Sequence, residues 1–338
     1  MKGLRFLGKR TVELRELPDP VAEDDKVVVK IKASAICGSD LPNYRADSDI
    51  LGCVPGHELA GVVSGVDRTC RVKVGDRVVL NTQVGCGICK YCRGGQVLFC
   101  KSTKIMGYTP GFNGGHAEYV SIPEKDCLLL PDDIGFDIGA VIPDGVGVAY
   151  HLLNRMGLRA KESVAVFGCG PIGIGIITLL KFWGAYTIGV DLNKYRCELA
   201  LKLGADIVIN ANEEEPVSTI RKITEGEGAD KTIDCVGETD ITLNQALSSV
   251  RVGGKVAFLG VKNRVTINDF YTLVSTGELE IFGSCGYNLS EFDDIVSLIR
   301  NGLPLKKMIT HRFPLERADE AYKLFDQGNT GKVVLIQE

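Results

Sequence analysis

Nowhere in the 338 residues does an apolar run reach the roughly 18 needed for a membrane-spanning helix. The longest, 172–180, is interrupted by Gly173 and Gly175 and reads as a buried helix. The opening stretch MKGLRFLGKRTVELRELP lacks the apolar core of a signal peptide, so a cytoplasmic location is the default expectation. Basic tracts are missing too, and the formal net charge is −4. That argues against a nucleic acid or an anionic membrane as partner. No short-period repeat or low-complexity stretch is apparent.

What is present is an ordinary globular composition, with 24% charged and 45% apolar residues, in a chain long enough for about two domains. Cysteine is plentiful. There are 12, four of them crowded between positions 86 and 100. In a chain without secretory features, such crowding points to metal ligands rather than disulfides.

The pattern changes along the chain. Up to about residue 145, short β-branched runs such as KVVVKIKASAIC, ELAGVVSGV and GDRVVL alternate with Gly-Asp and Pro-Gly punctuation, which predicts strands. From about 163, strand-like SVAVFG, YTIGVD, IVIN, KTIDCVG, GKVAFLG and LEIFG are separated mostly by helical stretches. Such alternation predicts βαβ units and a doubly wound parallel sheet. The tail reads as a helix SEFDDIVSLIRNG, then HRFPLE, a helix through Ala321 and a final strand KVVLIQ. The expected organisation is a β-rich domain formed by 1–146 and 285–338, with an α/β domain inserted at 147–284.

The α/β half opens on Gly168-Cys169-Gly170-Pro171-Ile172-Gly173, a GxGxxG between strand and helix, and Asp191 ends the next strand. This context suits a dinucleotide. Gly168 permits the tight turn, Gly170 lets backbone approach a pyrophosphate, and Gly173 lets helix pack on strand. The helix amino terminus offers free N–H groups to phosphate. Asp191 would accept hydrogen bonds from the adenosine ribose and repel a 2′-phosphate, favouring NAD over NADP. Lys194 and Arg196 just beyond it work the other way. The β-rich half carries Cys86, Cys89, Cys92 and Cys100, a C-x2-C-x2-C-x7-C set. Four thiolates suit tetrahedral zinc with no position left for water. Iron–sulfur ligation and a zinc-ribbon module share such spacings.

Taken together with CGSD at 37–40, PGHELAG at 55–61, VGDRV at 74–78 and GGHAEY at 114–119, these motifs fall in a family order. Over essentially its whole length the chain resembles the zinc-containing medium-chain dehydrogenases, the alcohol, sorbitol and threonine dehydrogenases. The resemblance implies a GroES-like catalytic domain with a Rossmann domain, and it assigns the four-cysteine lobe to a structural zinc. It implies a second, catalytic zinc held by Cys37 and His57, with Glu58 as a ligand or exchangeable ligand and Asp144 as the remaining one. Ser39 matches the hydroxyl that contacts the substrate oxygen and relays its proton. The histidine that continues that relay in many relatives is replaced by Pro42, which leaves Asp40, Tyr44 or water as routes. His116, His151 and His311 read as framework or surface residues.

The resemblance thus implies NAD-linked oxidation of a secondary alcohol or polyol, with two zincs per chain and a homo-oligomeric state, tetramer or dimer. Alternatives are an NADP-dependent zinc reductase, a zinc-free reductase and a non-catalytic NAD- and zinc-binding redox sensor. Loss of the ligand set would mark the zinc-free enzyme, and loss of the Ser39 hydroxyl would mark the sensor. The sequence retains both.

Overall fold

A computed structural model describes residues 1–338 apart from 24, 68, 69, 238, 262 and 263. It divides into two compact units. The first comprises Met1–Gly147, Gly286–Ser297 and Ile309–Glu338, and the second Val148–Cys285 and Leu298–Met308. The tail is therefore split more finely than the sequence reading of 285–338 as a single return. Leu298–Met308 packs with the second unit, where apolar Leu305 and Met308 are buried.

The first unit is built on a seven-stranded sheet. Its path runs Ile309–Pro314, Lys332–Ile336, Lys26–Ile36, Glu58–Val66, Arg77–Leu80 and Cys127–Leu129, with Tyr119–Pro123 also paired to Lys26–Ile36. Every pairing is antiparallel except the one between Ile309–Pro314 and Lys332–Ile336. Lys26–Ile36 lies in the middle of this sheet, buried along nearly its whole length. That fits the consecutive Val27, Val28 and Val29 and the small Ala33, Ser34 and Ala35, all buried, in place of simple alternation. Two apolar clusters flank the strands. One holds Leu4, Phe6, Tyr44, Tyr322 and Leu335, the other Val29, Ile31, Leu59, Val78 and Ile122.

The second unit is a six-stranded, wholly parallel sheet. Its spatial order is Ile207–Asn210, Tyr186–Asp191, Ser163–Phe167, Ala229–Asp234, Val250–Phe258 and Glu280–Gly283. Counted along the chain this is 3-2-1-4-5-6, the doubly wound order whose direction of winding reverses beside the first strand. Helices Pro171–Phe182, Lys194–Lys202, Pro216–Ile223 and Ile241–Ser249 lie between strands in the chain. The run 172–180 forms the middle of the first of these helices and is almost wholly buried, as its composition predicts. Glu215 caps Pro216–Ile223, its carboxylate accepting the Val217 and Ser218 N–H groups at the positive end of the helix. Among the described residues, no helix is long and apolar enough to cross a membrane.

Candidate functional site

Three chain segments of the first unit supply the candidate ligands. Cys37 follows the central strand Lys26–Ile36 in extended conformation and opens the short turn Gly38–Asp40. The turn is closed by its own acid, since Asp40 Oδ2 accepts the Cys37 N–H at 2.9 Å. His57 precedes the strand Glu58–Val66, and its carbonyl accepts the Thr82 hydroxyl at 2.9 Å. Asp144 sits in the turn Ile142–Val146, between helices Phe136–Val141 and Gly147–Arg155. Here the Gly147 N–H reaches back five residues to the Ile142 carbonyl, one residue more than an α-helix allows. That widened turn puts Asp144 beside Cys37.

One atom each from Cys37, His57, Glu58 and Asp144 lies within 4.8 Å of the other three. Cys37 Sγ donates to Asp144 Oδ2 at 3.0 Å, and His57 Nε2 lies 3.7 Å from the same oxygen. His57 Nδ1 faces away, 3.7 Å from Asp40 Oδ1. At that separation the carboxylate acts on the imidazole through its charge rather than through a hydrogen bond. Glu58 forms an ion pair with Lys332 in which both side chains are fully buried. The lysine passes across Gly145, where a Cβ would stand 2.5 Å from Lys332 Cε.

The electrostatics follow from this crowding. Burial pushes the Cys37 thiol up to about 12, with Asp144 adding to the effect. Burial also raises Glu58, to about 8, while the Lys332 ammonium opposes it. For His57 burial works downward, but Cys37 and the Asp144 carboxylate outweigh it and hold the imidazole well above its usual value. Asp144 is held below the usual carboxylate range, because His57 and Lys332 overcome its burial. Glu58 Oε2 and His57 Nδ1 are buried without a hydrogen-bond partner. A tetrahedral zinc with bonds of about 2.0–2.3 Å sets its ligand atoms about 3.3–3.8 Å apart. A thiol, an imidazole and two carboxylates at this spacing, with an orphaned carboxylate oxygen among them, fit such an ion.

The four-cysteine lobe is a second set of this kind. The Sγ atoms of Cys86, Cys89, Cys92 and Cys100 lie within 4.8 Å of one another, and those of Cys86 and Cys92 are 4.0 Å apart. All 12 cysteines are free thiols. Backbone N–H groups point at sulfur: Cys86 N–H donates to Cys100 and Cys92 N–H to Cys89, each at 3.4 Å. These bonds draw Cys100 down to about 6 and lower Cys89, whereas burial pushes Cys92 up to about 12. Spacing this tight suits one ion at about 2.3 Å from each sulfur rather than a multi-iron cluster.

In the second unit, Gly168 leaves the strand Ser163–Phe167 with φ +90°, a conformation that favours glycine. A Cβ on Gly173 would lie 1.8 Å from the Gly168 carbonyl oxygen, so only glycine lets the helix pack this close. Gly170 is the N-cap of Pro171–Phe182, with Pro171 in the first turn, where a missing N–H costs nothing, and Ile172 half-buried. Asp191 lies against this turn. Its Oδ2 accepts the Cys169 N–H and its Oδ1 the Asn193 N–H, both at 2.8 Å. The Arg196 guanidinium also approaches, with Nη1 3.7 Å from where a Gly170 Cβ would stand.

Among the residues offered as proton routes, Asp40 lies beside the ligand cluster and Tyr44 does not. The Tyr44 ring packs on Phe6 and Tyr322, and its buried hydroxyl has no partner. Ser39 is half-buried, and the hydroxyl of Tyr108 lies 2.8 Å from its Oγ. Tyr108 and Lys332 were not singled out from sequence. A lysine inside the apolar run KVVLIQ is the one signal that marked a buried charge. His116 keeps its framework reading. It is fully buried between Ser34 Oγ at 2.6 Å and Tyr322 Oη at 2.9 Å, and burial lowers it to about 4.

Residues 23–132 match the alcohol dehydrogenase GroES-like domain family, and residues 171–301 match the zinc-binding dehydrogenase family. An L-threonine 3-dehydrogenase of Symbiobacterium thermophilum is 36% identical over 349 aligned positions, covering 100% of this chain and 98% of that protein. The structure of an alcohol dehydrogenase from Thermus sp. ATN1 superposes with a TM-score of 0.93 at 33% identity, covering 100% of both chains. That of 2R,3R-butanediol dehydrogenase from Bacillus subtilis superposes at 0.87 with 27% identity, covering 100% of this chain and 99% of that one. Two zinc-dehydrogenase domains end to end, in a chain that spans its relatives almost completely, place this protein in the zinc-containing medium-chain dehydrogenase family, whose members are alcohol, polyol and threonine dehydrogenases.

Proposed function

We propose that the protein is a zinc-dependent, NAD-linked dehydrogenase that interconverts a secondary alcohol or polyol and its carbonyl. The first unit is its catalytic domain and the second its coenzyme domain. The observation that carries the reading is the convergence of Cys37, His57, Glu58 and Asp144 within 4.8 Å, two residues from the Ser39 hydroxyl. Cys37, His57 and Asp144 would hold the ion, and Glu58, drawn off by Lys332, is the exchangeable ligand, so one position stays open for substrate oxygen. Bound zinc supplies Lewis acidity that lowers the pKa of the alcohol. Bound nicotinamide supplies the hydride acceptor. The chain's own part is to orient these groups. Asp40 faces the back of His57 as a negative charge, Ser39 contacts the hydroxyl, and the helix beginning at Pro171 meets the coenzyme phosphates. Asp191, at the end of its strand beside that turn, favours NAD over NADP.

The test is a panel of secondary alcohols, 2,3-diols, sugar alcohols and L-threonine, read by NADH absorbance with NADP in parallel. NAD reduction by at least one secondary alcohol is expected. His57→Ala should abolish it and cost one zinc per chain while NADH affinity holds. Full activity in His57→Ala, or no reduction across the panel, would refute the reading.

A further inference from the structure

We propose that Tyr108 is a positioning residue that sets the direction of the Ser39 hydroxyl, so that Ser39 offers the substrate oxygen a lone pair rather than a proton. This rests on the reading of the site as a dehydrogenase centre. Tyr108 Oη lies 2.8 Å from Ser39 Oγ and 3.0 Å from Asp40 Oδ1. A phenol carries one proton, so it can donate to only one of these neighbours. Asp40 is almost fully buried, and its other oxygen already accepts the Cys37 N–H at 2.9 Å. A carboxylate only accepts, whereas a serine hydroxyl can give or take. A bond to a charged acceptor is also the stronger of the two choices. Tyr108 therefore donates to Asp40 and receives the Ser39 proton.

The order of hydrogens is then Ser39 to Tyr108 to Asp40, which leaves the Ser39 lone pairs for a third group. An alcohol bound there must give up its own hydroxyl proton to be oxidised, so the neighbour it needs is an acceptor. The tyrosine ring is confined, because its centroid stands 5.2 Å from that of His57. Pro42, one turn past Ser39, brings no polar side chain to compete for the serine.

The experiment has two parts. In the zinc- and NAD-loaded enzyme, Tyr108→Phe should lower kcat for alcohol oxidation about tenfold with KM within about twofold, the scale of one lost hydrogen bond. Zinc content and NADH affinity should not change. In a Ser39→Ala background the same substitution should cost nothing further, because Tyr108 acts through Ser39. Additive losses, or a Tyr108→Phe enzyme equal to wild type, would overturn the proposal. The second part does not depend on turnover. In protein carrying carbon-13 labelled tyrosine, without zinc or coenzyme, the slowly exchanging Tyr108 hydroxyl proton should survive Ser39→Ala and disappear in Asp40→Ala, which removes the acceptor oxygen. The reverse pattern would show that Tyr108 donates to Ser39, and would overturn the proposal even in an active enzyme. A wild type inactive on the whole panel would overturn the dehydrogenase reading, while the hydroxyl signal still decides the hydrogen-bond order.

Discussion

Replacing Lys332 by methionine tests the charge balance beneath the candidate zinc site. Lys332 and Glu58 are both fully buried and pair with each other across 274 residues of sequence. Methionine keeps most of the volume and removes the charge. Taking away one member of a buried ion pair typically costs about 3–5 kcal/mol, because the other is left desolvated and unpaired. For domains of 150–250 residues a kcal/mol corresponds to about 2–4 °C, so the expected fall in Tm is about 6–20 °C. The pH dependence gives the argument its sign. Burial raises Glu58 to about 8 in the folded protein, against about 4.3 for an unperturbed glutamate. Between those values the folded state holds a proton that the unfolded state has lost, so stability falls as pH rises. Without Lys332 the folded value climbs further and that window lengthens. The gap between Lys332→Met and wild type should therefore widen as pH passes 8, and be larger at pH 9 than at pH 6. Adding Glu58→Met should recover most of the loss, since a buried pair replaced by apolar residues is often no less stable. The assay is thermal unfolding at both pH values, with zinc content measured on the same samples. A single mutant within about 2 °C of wild type at pH 9, or a double mutant no more stable than Lys332→Met, would refute the reasoning.

Cys92→Ser should remove one zinc per chain and leave the ion at Cys37 and His57, seen as a stoichiometry near one by elemental analysis. Loss of both metals, or of neither, would separate the lobe from the role assigned to it. Zinc affinity of the remaining site, measured by chelator competition in that variant, should rise steeply with pH. The Cys37 thiol is pushed up to about 12 and His57 is held well above its usual value, so near neutral pH zinc binding displaces about two protons. That corresponds to up to about 100-fold in affinity per pH unit, and an affinity indifferent to pH between 6 and 8 would contradict the site as described.

Much of this was legible in the sequence because it is written locally. The parallel sheet follows from strand-like runs spaced by helical ones. Its 3-2-1-4-5-6 order belongs to the same architecture as the glycine-rich turn at 168–173. The lobe cysteines lie within 15 residues, so their spacing alone suggests a shared ion. Cys37 and His57 stood out through the short motifs that contain them. Asp144, between Pro143 and Gly145, has the local chemistry of an ordinary turn. What draws it to Cys37 is the widened turn Ile142–Val146, a backbone feature that no side-chain pattern announces.

The pieces that escaped are those whose meaning depends on a distant partner. In the primary structure Lys332 is a lysine in an apolar strand. It becomes a counter-charge only where the Lys332–Ile336 strand pairs with Lys26–Ile36, which in turn pairs with Glu58–Val66. Tyr108 is 69 residues from Ser39, on a connection without regular structure, and nothing in its neighbourhood marks it as polar machinery. Both side chains do the same kind of work. They satisfy a buried polar group next to a candidate ligand, and burial makes leaving such a group unsatisfied expensive. A motif therefore identifies the groups that meet the metal or the phosphate. The groups that hold them in one charge state and one orientation are chosen by packing, and emerge only when the strands have been put in register.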